Sequence, residues 1–201
     1  MQHKVHTTAL CFQLENGELF NVVQNLRYQY DKQINRWPPH INLLYPFVPR
    51  SQFSEAAEKI QLALQNSQPF QVCFEKIGYF QHRYSATAWI KPKTISGENN
   101  SLQQIQQICE SVFPFCNDQS KRKSGFVPHM TIGQFQNQDE IKNIIKQVNW
   151  KPLNTTVTHV CLISRKGKHD PFEIYHRIPL GRGLQFPKEE SIFNEVVTYD
   201  K

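Results

Sequence analysis

The chain lacks any stretch approaching the roughly 20 consecutive apolar residues that cross a bilayer. Its opening, Met1-Gln2-His3-Lys4-Val5-His6, lacks the apolar run of a secretory signal. Both absences place the expected protein in the cytosol or nucleus, away from membranes. Paired cysteines are lacking too: Cys11, Cys73, Cys109, Cys116 and Cys161 are odd in number and scattered singly, with no Cys-x-x-Cys. Such a set argues against a disulfide framework or a zinc site and reads as free, mostly buried thiols in a reducing compartment. Acidic residues are scarcer than basic ones, 17 against 23, and the net charge of +6 suits an anionic partner, nucleic acid foremost. Apolar residues are not scarce. A hydrophobic content of 39% with 12% aromatic over 201 residues is too high for disorder. It is enough for one domain or two tightly joined halves.

Two segments repeat one pattern. Pro39-His40-Ile41-Asn42-Leu43 and Pro128-His129-Met130-Thr131-Ile132 each read Pro, His, apolar, small hydrogen-bonding residue, apolar, and each reaches an aromatic soon after, Phe47 and Phe135. Because a strand alternates faces, His and the Asn or Thr two residues on point the same way while the apolar residues enter a core. Two such strands facing each other would join two imidazoles and two polar anchors. That set can cleave a phosphodiester without a metal.

The elements around the motifs also recur. A strand over Thr7–Leu14 is followed by the helical stripe Val22, Val23, Leu26, Tyr30, then the first motif. A helix through Phe53, Ala57, Ile60 and Leu64 and strands at Phe70–Phe74 and Ser85–Ile90 complete that half. In the second half Ser101 caps a helix bearing Leu102, Ile105, Cys109 and Val112. The second motif, a helix with Ile141, Ile144, Ile145 and Val148, and strands at Thr155–Ser164 and Phe172–Leu180 follow. The pattern predicts lobe-forming repeats of about 7–92 and 100–181 within a domain of 1–183, and a polar tail over 184–201.

The paired His-x-Asn/Thr segments, one per half, resemble the two-histidine (2H) phosphoesterase superfamily, which includes RNA 2′,3′-cyclic phosphodiesterases historically called 2′-5′ RNA ligases. Asn25-Leu26-Arg27-Tyr28-Gln29-Tyr30-Asp31, the run Arg36-Trp37-Pro38-Pro39-His40 to Phe47, and Pro171-Phe172-Glu173 to Gly181 carry the likeness further. The resemblance implies an α+β bilobal fold with two antiparallel sheets facing a central groove and helices outside. It implies His40 and His129 as the catalytic pair, with Asn42 and Thr131 on the phosphate. Asn42 departs from the family's Thr or Ser, yet an amide still donates to a phosphate oxygen.

Around the motifs, Tyr45 and Phe126 are candidates to stack bases, and Arg36, Lys121, Arg122 and Lys123 to track phosphates. The run Arg165-Lys166-Gly167-Lys168 is either a solvated loop or a ligand contact. The other histidines default to surface or core roles, and two imidazoles fall short of a zinc set. The expected protein is therefore a metal- and cofactor-free monomeric phosphodiesterase. It would act on 2′,3′-cyclic phosphates or 2′-5′ linkages in RNA ends or small nucleotides. The alternatives are a module that binds the same ligands without chemistry, or an ester hydrolase for non-nucleotides.

Overall fold

The computed structural model describes residues 3–95 and 101–182. Its elements run β1 (Thr8–Gln13), α1 (Gly17–Tyr30), β2 (His40–Leu44), α2 (Phe53–Leu64), β3 (Phe70–Gln81), β4 (Ala86–Thr94), α3 (Leu102–Val112), β5 (Met130–Phe135), α4 (Gln138–Val148), β6 (Leu153–Val157), β7 (His159–Ser164) and β8 (Glu173–Pro179). The strands form two antiparallel sheets, ordered β2-β1-β7-β8 and β5-β4-β3-β6, which face a central groove with helices outside. The class is α+β, as the family resemblance implied. The expected tail over 184–201 lies outside the described residues, as do residues 96–100. No helix among the described residues is long and apolar enough to cross a membrane.

Local chemistry accounts for the element boundaries. The Ser101 hydroxyl accepts from the Gln104 N–H at 3.2 Å, capping α3 as its sequence suggested. Asn137 caps α4 by accepting from the N–H groups of Asp139 and Glu140 at 3.0 and 3.1 Å, and Asn149 ends that helix in the left-handed region at φ 45°. Helix α2 buries Phe53, Ala56, Ile60 and Leu64, one side of a 3.6-residue period. Full burial of Ile60 and Leu64 contributes about 1.5–3 kcal/mol each. Pro92 is tolerated within β4 because it pairs with Phe74 beside a bulge, beyond Met130, the first residue of β5.

The strands are shared out differently from the lobe-forming repeats 7–92 and 100–181. Each sheet takes two strands from either half. Strand β4, expected to close the first half, lies beside β5 and holds the place that β1 holds beside β2. Helices cross over as well: α2 and α3 cover the first sheet, α1 and α4 the second. Chain order reveals which elements exist, but not which sheet edge each one joins. The single strand expected over Thr155–Ser164 is likewise two, β6 and β7, parted at Thr158 and belonging to different sheets.

Most apolar side chains of both sheets join one core. A smaller cluster of Ala9, Cys11, Cys161, Ile163 and Phe172, with Trp37 and Tyr45 against it, covers the opposite face of the first sheet, so β1 and β7 are buried on both sides. All five cysteines are free, four buried and Cys73 partly so. Burial pushes the thiols of Cys109 and Cys161 up to about 12, which keeps them protonated.

Helix α1 ties the lobes together. It links β1 to β2 along the chain yet packs against β5 of the other sheet. Gly133 permits the approach, since a Cβ there would sit 2.6 Å from the Tyr30 Cβ and 2.7 Å from its backbone oxygen.

Candidate active site

Strands β2 and β5 are edge strands of their sheets, and they meet: their Cα atoms come within 8 Å of one another. In both, alternation buries the apolar residues Ile41, Leu43, Met130 and Ile132. It leaves His40, Asn42, His129 and Thr131 half-buried along the groove. The two motifs thus present their polar residues side by side, and the His129 charge is felt at His40.

Each histidine is oriented in the same way. His40 Nδ1 lies 2.8 Å from the Pro38 carbonyl and His129 Nδ1 lies 2.7 Å from that of Val127, both two residues back. A carbonyl only accepts, so the proton sits on Nδ1 and each Nε2 is left for chemistry. Burial lowers the His40 pKa to about 4; the Pro38 carbonyl raises it in part, the charges of Arg27 and His129 lower it, and Asp31 raises it. Burial lowers His129 as well, against the Val127 carbonyl, with Arg122 adding to the fall.

The polar partners differ between the halves. Asn42 Nδ2 lies 3.0 Å from His40 Nε2, so the amide donates to the working nitrogen, while its buried Oδ1 has no partner among the described residues. The Thr131 hydroxyl and His129 Nε2 have no protein partner among the described residues. Surroundings differ too. His40 stacks on Trp37 at 4.5 Å and 10°, Trp37 stacks on Phe172 at 3.9 Å, and the Arg165 guanidinium caps the column 4.8 Å from the Phe172 ring. His129 instead meets Phe80 edge-on at 4.9 Å, with Trp89 at 6.2 Å.

A buried ion pair supports the first motif. Arg27 Nε donates to Asp31 at 2.8 Å, both side chains being nearly inaccessible, and Arg27 Nη2 donates to the Trp37 carbonyl at 2.5 Å. Asp31 also accepts from Gln134 of β5 at 3.0 Å, which joins this support to the opposite sheet.

The remaining sequence candidates divide. Tyr45 sits beside Trp37 at 5.2 Å and donates to the His6 carbonyl at 3.3 Å. Phe126, expected as a stacking residue, packs its half-buried ring against the main core. Arg36 is half-buried beside a pocket at the end of β1. Lys121, Arg122 and Lys123 are exposed, and of these Arg122 is the one whose charge reaches His129. Arg165, read as loop or ligand contact, is tied to the His6 carbonyl at 3.1 Å as well as to Phe172. Trp37, Phe80, Trp89, Arg27, Asp31 and Gln13 were not singled out as site residues. Gln13, Phe80 and Trp89 are placed by strand pairing and Trp37 by its stack on the distant Phe172, which no local pattern encodes, whereas Arg27 and Asp31 form an i, i+4 pair at the end of α1 whose spacing is a local signal.

Glu15, His159 and Cys161 bring possible ligand atoms within 4.8 Å of each other. Arg177 grips both Glu15 oxygens, Nε donating to Oε1 at 3.2 Å and Nη2 to Oε2 at 2.7 Å, and His159 Nε2 lies 2.9 Å from Glu15 Oε1. The arrangement is a salt-bridge network in which a guanidinium already fills the place of a cation.

Comparisons with known proteins bear on the family and the fold. The family model described as the 2′-5′ RNA ligase superfamily matches residues 16–169. A protein provisionally named a phosphoesterase in Oceanobacillus iheyensis is 25% identical over 130 residues, covering 64% of this chain and 71% of its own. One so named in Halalkalibacterium halodurans is 25% identical over 137 residues, covering 67% and 74%. Among solved structures, a Thermus thermophilus protein superposes with a TM-score of 0.59 at 14% identity, over 89% of this chain and 99% of its own. Escherichia coli LigT complexed with 3′-AMP gives 0.58 at 15% identity, over 87% and 98%.

Proposed function

The chain belongs to the 2′-5′ RNA ligase superfamily, and from that premise we propose that it is a metal-independent phosphodiesterase for 2′,3′-cyclic phosphates or 2′-5′ linkages in RNA ends or small nucleotides. The observation that carries the reading is the matched geometry of β2 and β5. Two edge strands in contact each hold an imidazole by its Nδ1, which leaves His129 Nε2 without a protein partner among the described residues and His40 Nε2 with the Asn42 amide alone.

In this reaction His40 Nε2 takes a proton from water as the oxygen attacks phosphorus, and His129 Nε2–H gives a proton to the departing ribose oxygen as the P–O bond breaks. His40 suits the role of base because burial and the neighbouring positive charges keep it neutral at neutral pH. His129 suits the role of acid once a bound phosphodiester anion favours its imidazolium. The Thr131 hydroxyl and the Asn42 amide meet charge that develops on the phosphoryl oxygens. Each turnover leaves His40 protonated and His129 neutral, and exchange with solvent restores both.

The test is hydrolysis of cyclic-phosphate-ended oligonucleotides and 2′-5′ oligoadenylate by purified protein in EDTA. Product should form, and His40→Ala or His129→Ala should each lower turnover by about 10²- to 10⁴-fold with the fold retained. No turnover of either substrate between pH 5 and pH 9 would refute the reading. The second reading is a groove that holds an RNA end or nucleotide without chemistry, and the Asn42 amide on His40 Nε2 favours it. Tight nucleotide binding without product would decide for that module.

A further inference from the structure

Beyond the histidine pair, a pocket of about 340 Å³ opens at the end of β1, lined among others by Gln13, Glu15, Phe20, Gln24, Arg36 and Phe172. It adjoins the candidate site directly. Gln13 is the cross-strand partner of His40, and the Trp37 ring that stacks on His40 forms part of the pocket wall. The volume is at the lower end of the range of about 300–1,000 Å³ that holds small ligands. That is room for one heterocycle and a sugar, not for a strand.

Some polar groups in the wall are already committed. Glu15 is held by Arg177 and His159, and the Gln24 side-chain Oε1 accepts from Arg27 Nη1 at 2.8 Å. Two are not. Gln13 Oε1 and Arg36 Nε are buried and have no hydrogen-bond partner among the described residues. Arg36 reaches the Lys168 carbonyl only through Nη1, at 3.4 Å. Buried polar atoms are nearly always paired, so an unpaired acceptor and an unpaired donor on two residues that line one pocket point to a ligand that satisfies both once the Gln13 and Arg36 side chains turn toward it. A phosphate would face the Gln13 oxygen and the Glu15 carboxylate, and an acyl chain would leave both atoms unsatisfied. A flat heterocycle with an N–H beside a lone pair on its edge, and apolar faces to set against Phe20 and Leu14, meets every requirement.

We propose that this pocket seats the nucleobase attached to the phosphate held between His40 and His129, an inference that rests on the phosphodiesterase reading of the groove. Gln13 and Arg36 take the edge of the base, while the histidine strands hold the phosphate.

Calorimetric titration of the full chain with the four nucleoside 3′-monophosphates and with inorganic phosphate tests this. The wild type should bind at least one nucleotide on the order of tenfold more tightly than phosphate, a difference of about 1.4 kcal/mol. Gln13→Leu should bring the two ligands within about threefold without weakening phosphate. Arg36→Lys keeps the charge but removes the Nε donor, and should do the same. The backbone bond from Phe172 N–H to the Arg36 carbonyl, 2.8 Å, does not depend on either side chain, and unchanged phosphate binding reports a folded groove. Equal binding of nucleotide and phosphate in the wild type would overturn the assignment. So would a nucleotide preference that survives both substitutions, or a loss of phosphate affinity in Arg36→Lys, which would mark an anion site. Turnover plays no part in this readout. Base-dependent binding without hydrolysis would sink the phosphodiesterase reading and leave the pocket standing; hydrolysis without base preference would do the reverse.

Discussion

Replacing His40 with asparagine should make the protein less sensitive to acid. The imidazole has an ordinary value of 6.5 in the unfolded chain and about 4 in the folded one, chiefly because burial disfavours its charged form. Between those values the unfolded state binds a proton that the folded state does not. Folding stability therefore falls as pH drops from 6.5 toward 4, by about 1.4 kcal/mol per pH unit. The contribution is fully present above pH 6.5, and its loss is complete only below about pH 4. The Pro38 carbonyl and the Asp31 charge oppose the burial, and stacking on Trp37 adds to that by favouring an imidazolium by about 1 kcal/mol. Burial outweighs them, and between pH 7 and pH 4.5 the His40 contribution to the loss is about 2–3 kcal/mol. The assay is urea unfolding of wild type and His40→Asn at half-unit pH steps across that window. His129 and Glu15 titrate in both proteins and largely cancel in the difference. The gap between the two curves should change by about 2–3 kcal/mol in favour of the variant as pH falls. A gap independent of pH would refute the buried neutral imidazole, and with it the assignment of His40 as base.

Asn42→Asp places a carboxylate on His40 Nε2, where the amide now donates at 3.0 Å. It should raise the His40 pKa, move the acid limb of the kcat/KM profile toward neutrality and lower the rate at pH 6 by about tenfold or more, whereas Asn42→Thr should leave that limb in place. Arg27→Met strands Asp31 as an unpaired buried carboxylate and should cost about 3–5 kcal/mol in chemical denaturation. Arg27→Met combined with Asp31→Leu should recover much of it. Gly133→Ala forces a methyl against Tyr30 backbone and should cost about 1–3 kcal/mol by thermal or urea unfolding. An unchanged midpoint would mean that α1 and β5 separate freely.

Much of this site is legible in the chain because strand alternation is local. Ile41 and Leu43 against His40 and Asn42, and Met130 and Ile132 against Thr131, suffice to say which residues enter the core and which line a groove. The caps and stripes of the helices are local too, and Ser101 does what its position promised. What stays hidden is set by pairing across the chain. Thr155–Ser164 has the same β-forming character throughout, and only its partners, β3 on one side of Thr158 and β1 on the other, divide it. The Trp37 stack needs Phe172 from 135 positions away in the sequence. Asn42 could be read as a hydrogen-bonding residue, but its choice of His40 Nε2 is a matter of rotamer and burial.

The sharing of strands between the sheets also limits how the protein can be cut. A break between residues 95 and 101 would give an N-terminal piece with β1 and β2 but not β7 and β8, and with β3 and β4 but not β5 and β6. Each fragment would hold one histidine motif and half of every sheet, with unpaired edges exposed. Neither piece could build a core alone. Mixed together, the two are complementary along three strand junctions, β1 with β7, β4 with β5 and β3 with β6. The natural seam of this molecule is thus one across which separate halves would reassemble only as a pair.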